Sequence, residues 1–267
     1  MTGFALPSPS PLIQAFAEGP VGWLVLNRPL RRNALNSEMW AAIPPVMASL
    51  GEHPDVRVIV IRGAGGEAFA AGADILEFGE TRNDAAAAAQ YEKLNGEAFA
   101  AIRRSAKPVI AMIEGYCFGG GLAIALAADL RIAGSTAIFS LPPARLGLAY
   151  PLDGLRDLVL AVGAATAKEM LFTARRIHAE EALKAGLIDR LTLHIEQDTH
   201  ALCAEIAAGA PLSILHAKRA IDLITRRPGH EDDADIAWHA ARCFDSADYA
   251  EGRLAFAEKR KPVFRGG

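Results

Sequence analysis

The sequence predicts an α/β fold followed by a helical C-terminal region. Strand-like and helix-like runs alternate from Val21 to Gly134 at the spacing of βαβ units, which argues for sheets covered by helices. After about Asp153 the strand pattern gives way to successive helical runs, with no long linker before them. The chain has 267 residues, 51% of them apolar, which is enough for one sizeable core.

The elements follow in order. The opening "PSPSP" reads as a loose arm and "VGWLVLN" (21–27) as a strand. "NRPLRRNAL" is a basic loop. A helix should start near Asn36 or Ser37, both good caps, with Glu38 in its first turn where the helix dipole favours it. "VRVIVIRG" (56–63) is a β-branched run ending in glycine, so a buried strand. "AFAAGADILEF" reads as a tight, glycine-punctuated turn. The segment 84–106 has helical composition, its alanine run included, and Pro108 stops it. "PVIAMIEG" is the next buried strand, followed by Gly119, Gly120 and Gly121, the apolar run "LAIALAADL" and a short strand at 130–134. "AATAKEMLFTA", "AEEALKAGLI", "DTHALCAEIAAGA", "LSILHAKRAIDLITRR" and the tail from Ala234 read as helices.

Composition excludes several classes. A net charge of −3 gives no electrostatic case for nucleic acid. Three scattered cysteines, Cys117, Cys203 and Cys243, form neither a zinc motif nor a disulfide framework. No apolar run is clean enough for a membrane span, and no signal-peptide pattern opens the chain. The expectation is a soluble cytoplasmic protein without a metal or redox cofactor.

The glycine triplet carries the functional argument. A strand, a glycine-rich turn and a helix can cradle phosphate, but neither Gly-Lys-Ser/Thr nor G-x-G-x-x-G is present here. What remains is a helix N-terminus with bare N–H groups, which can hold negative charge developing on oxygen. Close helix packing is the alternative reading of these glycines. A second turn, "FAAGADI" (69–75), has the same character. Two such turns at the ends of neighbouring parallel strands would aim two donors at one point.

"FAAGADI", "KPVIAMIEGYCFGGG" and "AADLRIAG" resemble the crotonase superfamily, the enoyl-CoA hydratase/isomerase fold. The resemblance continues through "AVGAATAKEMLFTARRIHAEEALKAGLIDRL" and closes on "AFAEKRKPVF". It implies a spiral of ββα turns over residues 1–200 and a C-terminal helical trimerisation region over 201–267, building homotrimers or dimers of trimers. It implies an acyl-CoA thioester substrate, with CoA arriving as part of it. The amides of Ala73 and Gly120 would hold the thioester oxygen. Arg32 would lie near the nucleotide, with Arg31 able to take its place. Ala71 and Ala73 would flank the ligand, and Phe256 and Lys259 would touch CoA from the tail.

The chain departs from the family at the two glutamates that move water in hydratases. Those positions are Ala123 and Pro143, and neither side chain transfers a proton. A well-placed acid or base typically contributes ~10²–10⁴-fold. "LGLAYPLDG" resembles a run in crotonase-fold decarboxylases and brings Tyr150, although those enzymes carry histidine where Ala73 stands. Tyr150 is either a proton handler or a structural tyrosine bonded to backbone. Asp153 is either an acid or the N-cap of a helix starting near Gly154. Glu77 could face the pocket or solvent, Asp74 reads as structural, and Cys117 as a packed small residue. Glu114, in an apolar strand, needs a partner or a proton, and Arg131 is a candidate partner. Three functions stand: a hydratase/isomerase-like enzyme acting through an enolate, a decarboxylase of malonyl-type thioesters, or an acyl-CoA-binding protein with little chemistry.

Overall fold

The chain begins as an antiparallel meander of β1 (Phe4–Leu6), β2 (Ile13–Glu18) and β3 (Val21–Leu26). The computed structural model describes residues 4–81, 83–209, 211–225, 241, 244–260 and 262. The opening is therefore not a loose arm. Leu6 pairs with Ala15, and Ser10 is buried with its hydroxyl donating to Glu38. Helix α1 (Ser37–Glu52) starts where its cap predicts, with Asn36 Oδ1 accepting from the Met39 amide at 3.0 Å.

Three ββα turns follow. The first runs from β4 (Val58–Gly63) and β5 (Ala68–Ala70) to α2 (Phe78–Thr81) and α3 (Ala85–Arg104). In the second, β6 (Val109–Ile113) and β7 (Tyr116–Phe118) lead to α4 (Gly120–Ala127). The third comprises β8 (Leu130–Gly134), β9 (Ile138–Ser140), α5 (Pro143–Leu146) and α6 (Leu152–Thr173), which breaks at Gly163. The chain continues through β10 (Ile177–His178), α7 (Ala179–Lys184), β11 (Arg190–Thr192), α8 (Ile195–Ala207), α9 (Pro211–Thr225) and α10 (Ala247–Ala257).

Each turn gives its first strand to a large sheet and its second to a small one. The large sheet runs β1-β2-β3-β4-β6-β8-β11, parallel from β3 onward, and the small sheet runs β10-β9-β7-β5. The period of two decides which side each residue serves. On β4, Ile59 and Ile61 face the main core, which also takes in residues of the small sheet, α1, α3 and α4. Val58 and Val60 face a second cluster with Ile195, Leu202 and Cys203 of α8. Strands buried on both faces explain the uninterrupted apolar runs of β4 and β6.

The division expected at residue 200 falls inside α8, whose apolar face covers the large sheet, so α8 belongs with the core. Helix α9 is tied to the same core: Lys218 Nζ donates to Asp129 at 2.7 Å, and Asp129 also accepts from the Val109 amide at 2.7 Å. Helix α10 packs back on its own chain. A Cβ on Gly252 would meet the Leu146 carbonyl oxygen at 2.3 Å, so the α10 backbone lies directly on α5. Of the tail read as helical from Ala234, α10 is described, whereas residues 234–240, 242, 243, 261 and 263–267, Cys243 among them, lie outside the described residues. Among the described residues no helix is long and apolar enough to cross a membrane.

Candidate active site

Strands β5, β7 and β9 are parallel neighbours, so the segments leaving their C-terminal ends emerge side by side. These segments hold Ala71–Asp74, Gly119–Gly121 and Leu141–Pro143. They form one wall of a cavity of about 620 Å³, lined also by residues of α3, α5 and α10.

The glycines are there because backbone meets backbone. Gly72 (φ 106°) and Gly119 (φ 48°) occupy conformations that side chains disfavour, and the Gly72 Cα lies 3.8 Å from where a Gly119 Cβ would sit. A Cβ on Gly121 would fall 2.4 Å from the Ala70 carbonyl oxygen. On Gly120 it would fall 2.9 Å from Trp40 Cζ2 and 3.6 Å from the Ala73 nitrogen. Packing and ligand access thus select the same residues.

Two amides meet at this junction. Leu35 N–H donates to Gly72 O, and Asp74 N–H donates to Leu35 O, which turns the intervening Ala73 N–H to the other side. Gly120 is the first residue of α4, where helix geometry leaves N–H groups without intrahelical acceptors. The first bond of that helix is Ala123 N–H to Gly119 O, at 3.0 Å. The α4 dipole adds partial positive charge at the same place.

Tyr150 lines the cavity, and its hydroxyl donates to Gly119 O at 3.1 Å. That oxygen belongs to the peptide whose nitrogen is Gly120, so Tyr150 grips the unit that presents the amide. Burial pushes the Tyr150 hydroxyl well above the usual phenol range, and nearby acidic groups push the same way. The phenol therefore stays protonated at neutral pH.

Asp153 is elsewhere. Helix α6 begins at Leu152 with Pro151 as its cap, two residues earlier than Gly154, so Asp153 sits in the first turn and is not the N-cap. Its carboxylate pairs with Arg103 at 2.9 Å and Arg156 at 3.2 Å, away from the cavity lining. Arg103 also pairs with Asp157 at 2.5 Å. Burial pushes the Asp157 carboxyl up to about 6 against the pull of that guanidinium.

Of the residues expected at CoA, Ala71, Ala73 and Phe256 line the cavity, and Arg32 and Lys259 do not. Arg32 is held by Glu67 at 2.7 Å and lies over the Tyr116 ring, whereas its neighbour Arg31 lines the cavity. The reason is a 3₁₀ turn at Pro29–Arg31 that ends with Arg32 in the left-handed region, so the two side chains diverge. Lys259 is exposed just past α10, and Arg260 takes the lining position. Arg145, also in the lining, carried no signal in the sequence. Glu77 accepts from the Ser37 amide and hydroxyl at 2.9 and 3.0 Å, which tethers the start of α1. Asp74 pairs with Arg28 at 2.6 Å and caps a short turn through the Leu76 amide. Arg131 pairs with Asp189 at 2.9 Å, and the Glu114 carboxyl is raised by burial and by Glu196 against the pull of Arg62. Cys117 is fully buried, and desolvation raises its thiol well above the usual range.

The spiral and the paired turns define a crotonase-superfamily fold. Residues 17–267 match the model of the enoyl-CoA hydratase/isomerase family, and the chain belongs to that family. It is 33% identical to the short-chain-enoyl-CoA hydratase of Clostridium acetobutylicum over 91% of this chain and 94% of that one. It is 36% identical to the (E)-benzylidenesuccinyl-CoA hydratase of Thauera aromatica, over 92% and 96%. A methylmalonyl-CoA decarboxylase in complex with 2-nitronate-propionyl-CoA superposes with a TM-score of 0.88 at 30% identity, over 96% of this chain and 99% of that one. The chain is thus of an acyl-CoA-acting family.

Proposed function

We propose that this protein acts on an acyl-CoA thioester by forming an enolate whose oxygen is held by the amides of Ala73 and Gly120. The observation that carries this reading is their junction: two turns stripped of side chains at the mouth of one cavity, with the Ala73 nitrogen 3.6 Å from the position of a Gly120 Cβ. Removing one such donor typically costs ~10²–10³-fold in turnover, so the pair can dominate catalysis. Ala71 and Phe256 would flank the thioester and its CoA portion, and Arg31 and Arg145 would face the phosphates, whereas Arg260 is held by Glu251 and Glu258.

The wall around this junction favours an enolate made without a carboxylate base. Ala123, Pro143 and Leu148 line it, and the one lining carboxylate among the described residues, Asp74, is committed to Arg28. Loss of carbon dioxide from a malonyl-type thioester fits such a wall. The bond from Cα to the carboxylate breaks, its electrons enter the enolate, and carbon dioxide leaves. A proton then returns to Cα; the Tyr150 hydroxyl would deliver it and take another from solvent. The likeness to the methylmalonyl-CoA decarboxylase supports this choice. The hydratase relatives favour a second reading, in which Tyr150 serves the addition of water to an enoyl thioester. Assembly as a trimer or dimer of trimers accompanies either reading, and the exposed Leu160 and Phe172 of α6 offer apolar surface for it.

Mass spectrometry after incubation with methylmalonyl-CoA, crotonyl-CoA and a 3-enoyl-CoA in deuterated water separates these readings. Loss of carbon dioxide supports the first, and gain of water the second. Thioesters recovered unchanged and without deuterium would overturn enolate chemistry and leave a binding protein.

A further inference from the structure

The amides of Ala73 and Gly120 belong to different turns of the spiral, so their spacing is set by what packs against both. One short stretch of chain does so. Leu35 brackets Ala73, donating to Gly72 O and accepting from Asp74 N–H, each at 2.8 Å. Trp40, five residues on and inside α1, abuts Gly120: a Cβ there would lie 2.9 Å from Cζ2 and 3.3 Å from Cη2 of the indole.

Tyr91 of α3 closes this arrangement. Its hydroxyl accepts from Trp40 Nε1 at 2.8 Å and turns its own donor toward the Leu35 carbonyl oxygen, 3.5 Å away. Phe99 meets the indole edge-on, with ring centroids 5.6 Å apart. Leu35 and Trp40 are 0% exposed and Tyr91 is 2% exposed. Solvent at that depth cannot replace the hydroxyl, and an indole N–H deprived of it is left buried and unpaired. Burial also keeps both side chains from substrate, so any effect they have passes through the backbone they support. We infer that Tyr91 and Trp40 are positioning residues: the bond between them fixes the ring on which Gly120 rests, and with it the distance between the two amides. The inference rests on the enolate reading of the cavity and holds whichever reaction follows.

Isothermal titration calorimetry with 2-nitronate-propionyl-CoA and with propionyl-CoA tests it. The nitronate spreads its negative charge onto the thioester oxygen as an enolate does, whereas propionyl-CoA presents a neutral carbonyl. The wild type should bind the nitronate at least a hundredfold more tightly. Tyr91→Phe, assayed where circular dichroism shows it folded, should lose about tenfold on the nitronate and less than twofold on propionyl-CoA. That is smaller than the ~10²–10³-fold of losing a donor outright, because the amide is displaced and not removed. Trp40→Phe deletes the other half of the same bond, so the double variant should be little worse than the poorer single one. Equal losses on the two ligands would show general damage to the cavity and overturn the inference. So would a Tyr91→Phe protein that keeps the full preference, or losses that multiply in the double variant. A wild type that does not favour the nitronate, or that binds neither thioester, overturns the enolate reading itself and this inference with it.

Discussion

Replacing Tyr150 with phenylalanine separates a proton donor from a brace, because the two roles differ in magnitude. The substitution removes one hydroxyl and little volume. Structurally it deletes the 3.1 Å bond to Gly119 O, and that oxygen still accepts from the Ala123 amide at 3.0 Å. No acceptor is stranded, so the cost is that of one neutral hydrogen bond, about 1 kcal/mol, or about fivefold if all of it falls on the transition state. A group that delivers a proton is worth ~10²–10⁴-fold. Steady-state kinetics of Tyr150→Phe on the substrate found by mass spectrometry should show kcat reduced at least a hundredfold, with KM nearly unchanged. A loss of tenfold or less would be accounted for by the missing brace alone and would refute the proton-delivery argument.

Other expectations follow from the same geometry. Gly120→Ala would place a methyl 2.9 Å from Trp40 Cζ2 and push the ring or the amide aside, so kcat should fall by roughly ten- to a hundredfold with the fold retained by circular dichroism. Asp157 titrates near 6 in the fold and about 4 when unfolded, so the folded state holds its proton more tightly. Its contribution is fully present below about pH 4 and is lost as pH rises through about 6, so urea stability relative to Asp157→Asn should fall by roughly 2–3 kcal/mol across that window. A difference independent of pH would contradict this. Cys117 should resist thiol reagents in the native protein and react only on unfolding, since it is buried and its thiol is held protonated; peptide mapping of alkylated native protein would reveal otherwise.

The sequence was most legible where burial and pattern coincide. Strands β3, β4 and β6 are long apolar runs, and α1 announces itself through the Asn36 cap. The small sheet was nearly invisible, since β5, β7 and β9 have three residues each and β10 has two, too few to establish a period. Strand β2 did carry a signal, with Ile13, Ala15 and Ala17 alternating inward, but two of these are alanines and the proline-rich opening masked it. The position of the paired turns was readable because glycine is the residue backbone contact demands. Side-chain directions beside them were not, because they depend on local dihedrals: a left-handed Arg32 diverges from Arg31, and a helix starting at Leu152 carries Asp153 to Arg103.

The two donors proposed for the enolate oxygen belong to the main chain, and this changes what genetics can detect. Every amino acid except proline brings the same N–H, so replacing Ala73 with another small residue deletes nothing. A conventional alanine scan is blind at that position and would credit catalysis to neighbours whose side chains merely keep the strand ends in place. For the same reason the side chains around the cavity can be exchanged while the means of holding an enolate is kept and the reaction built on it changes.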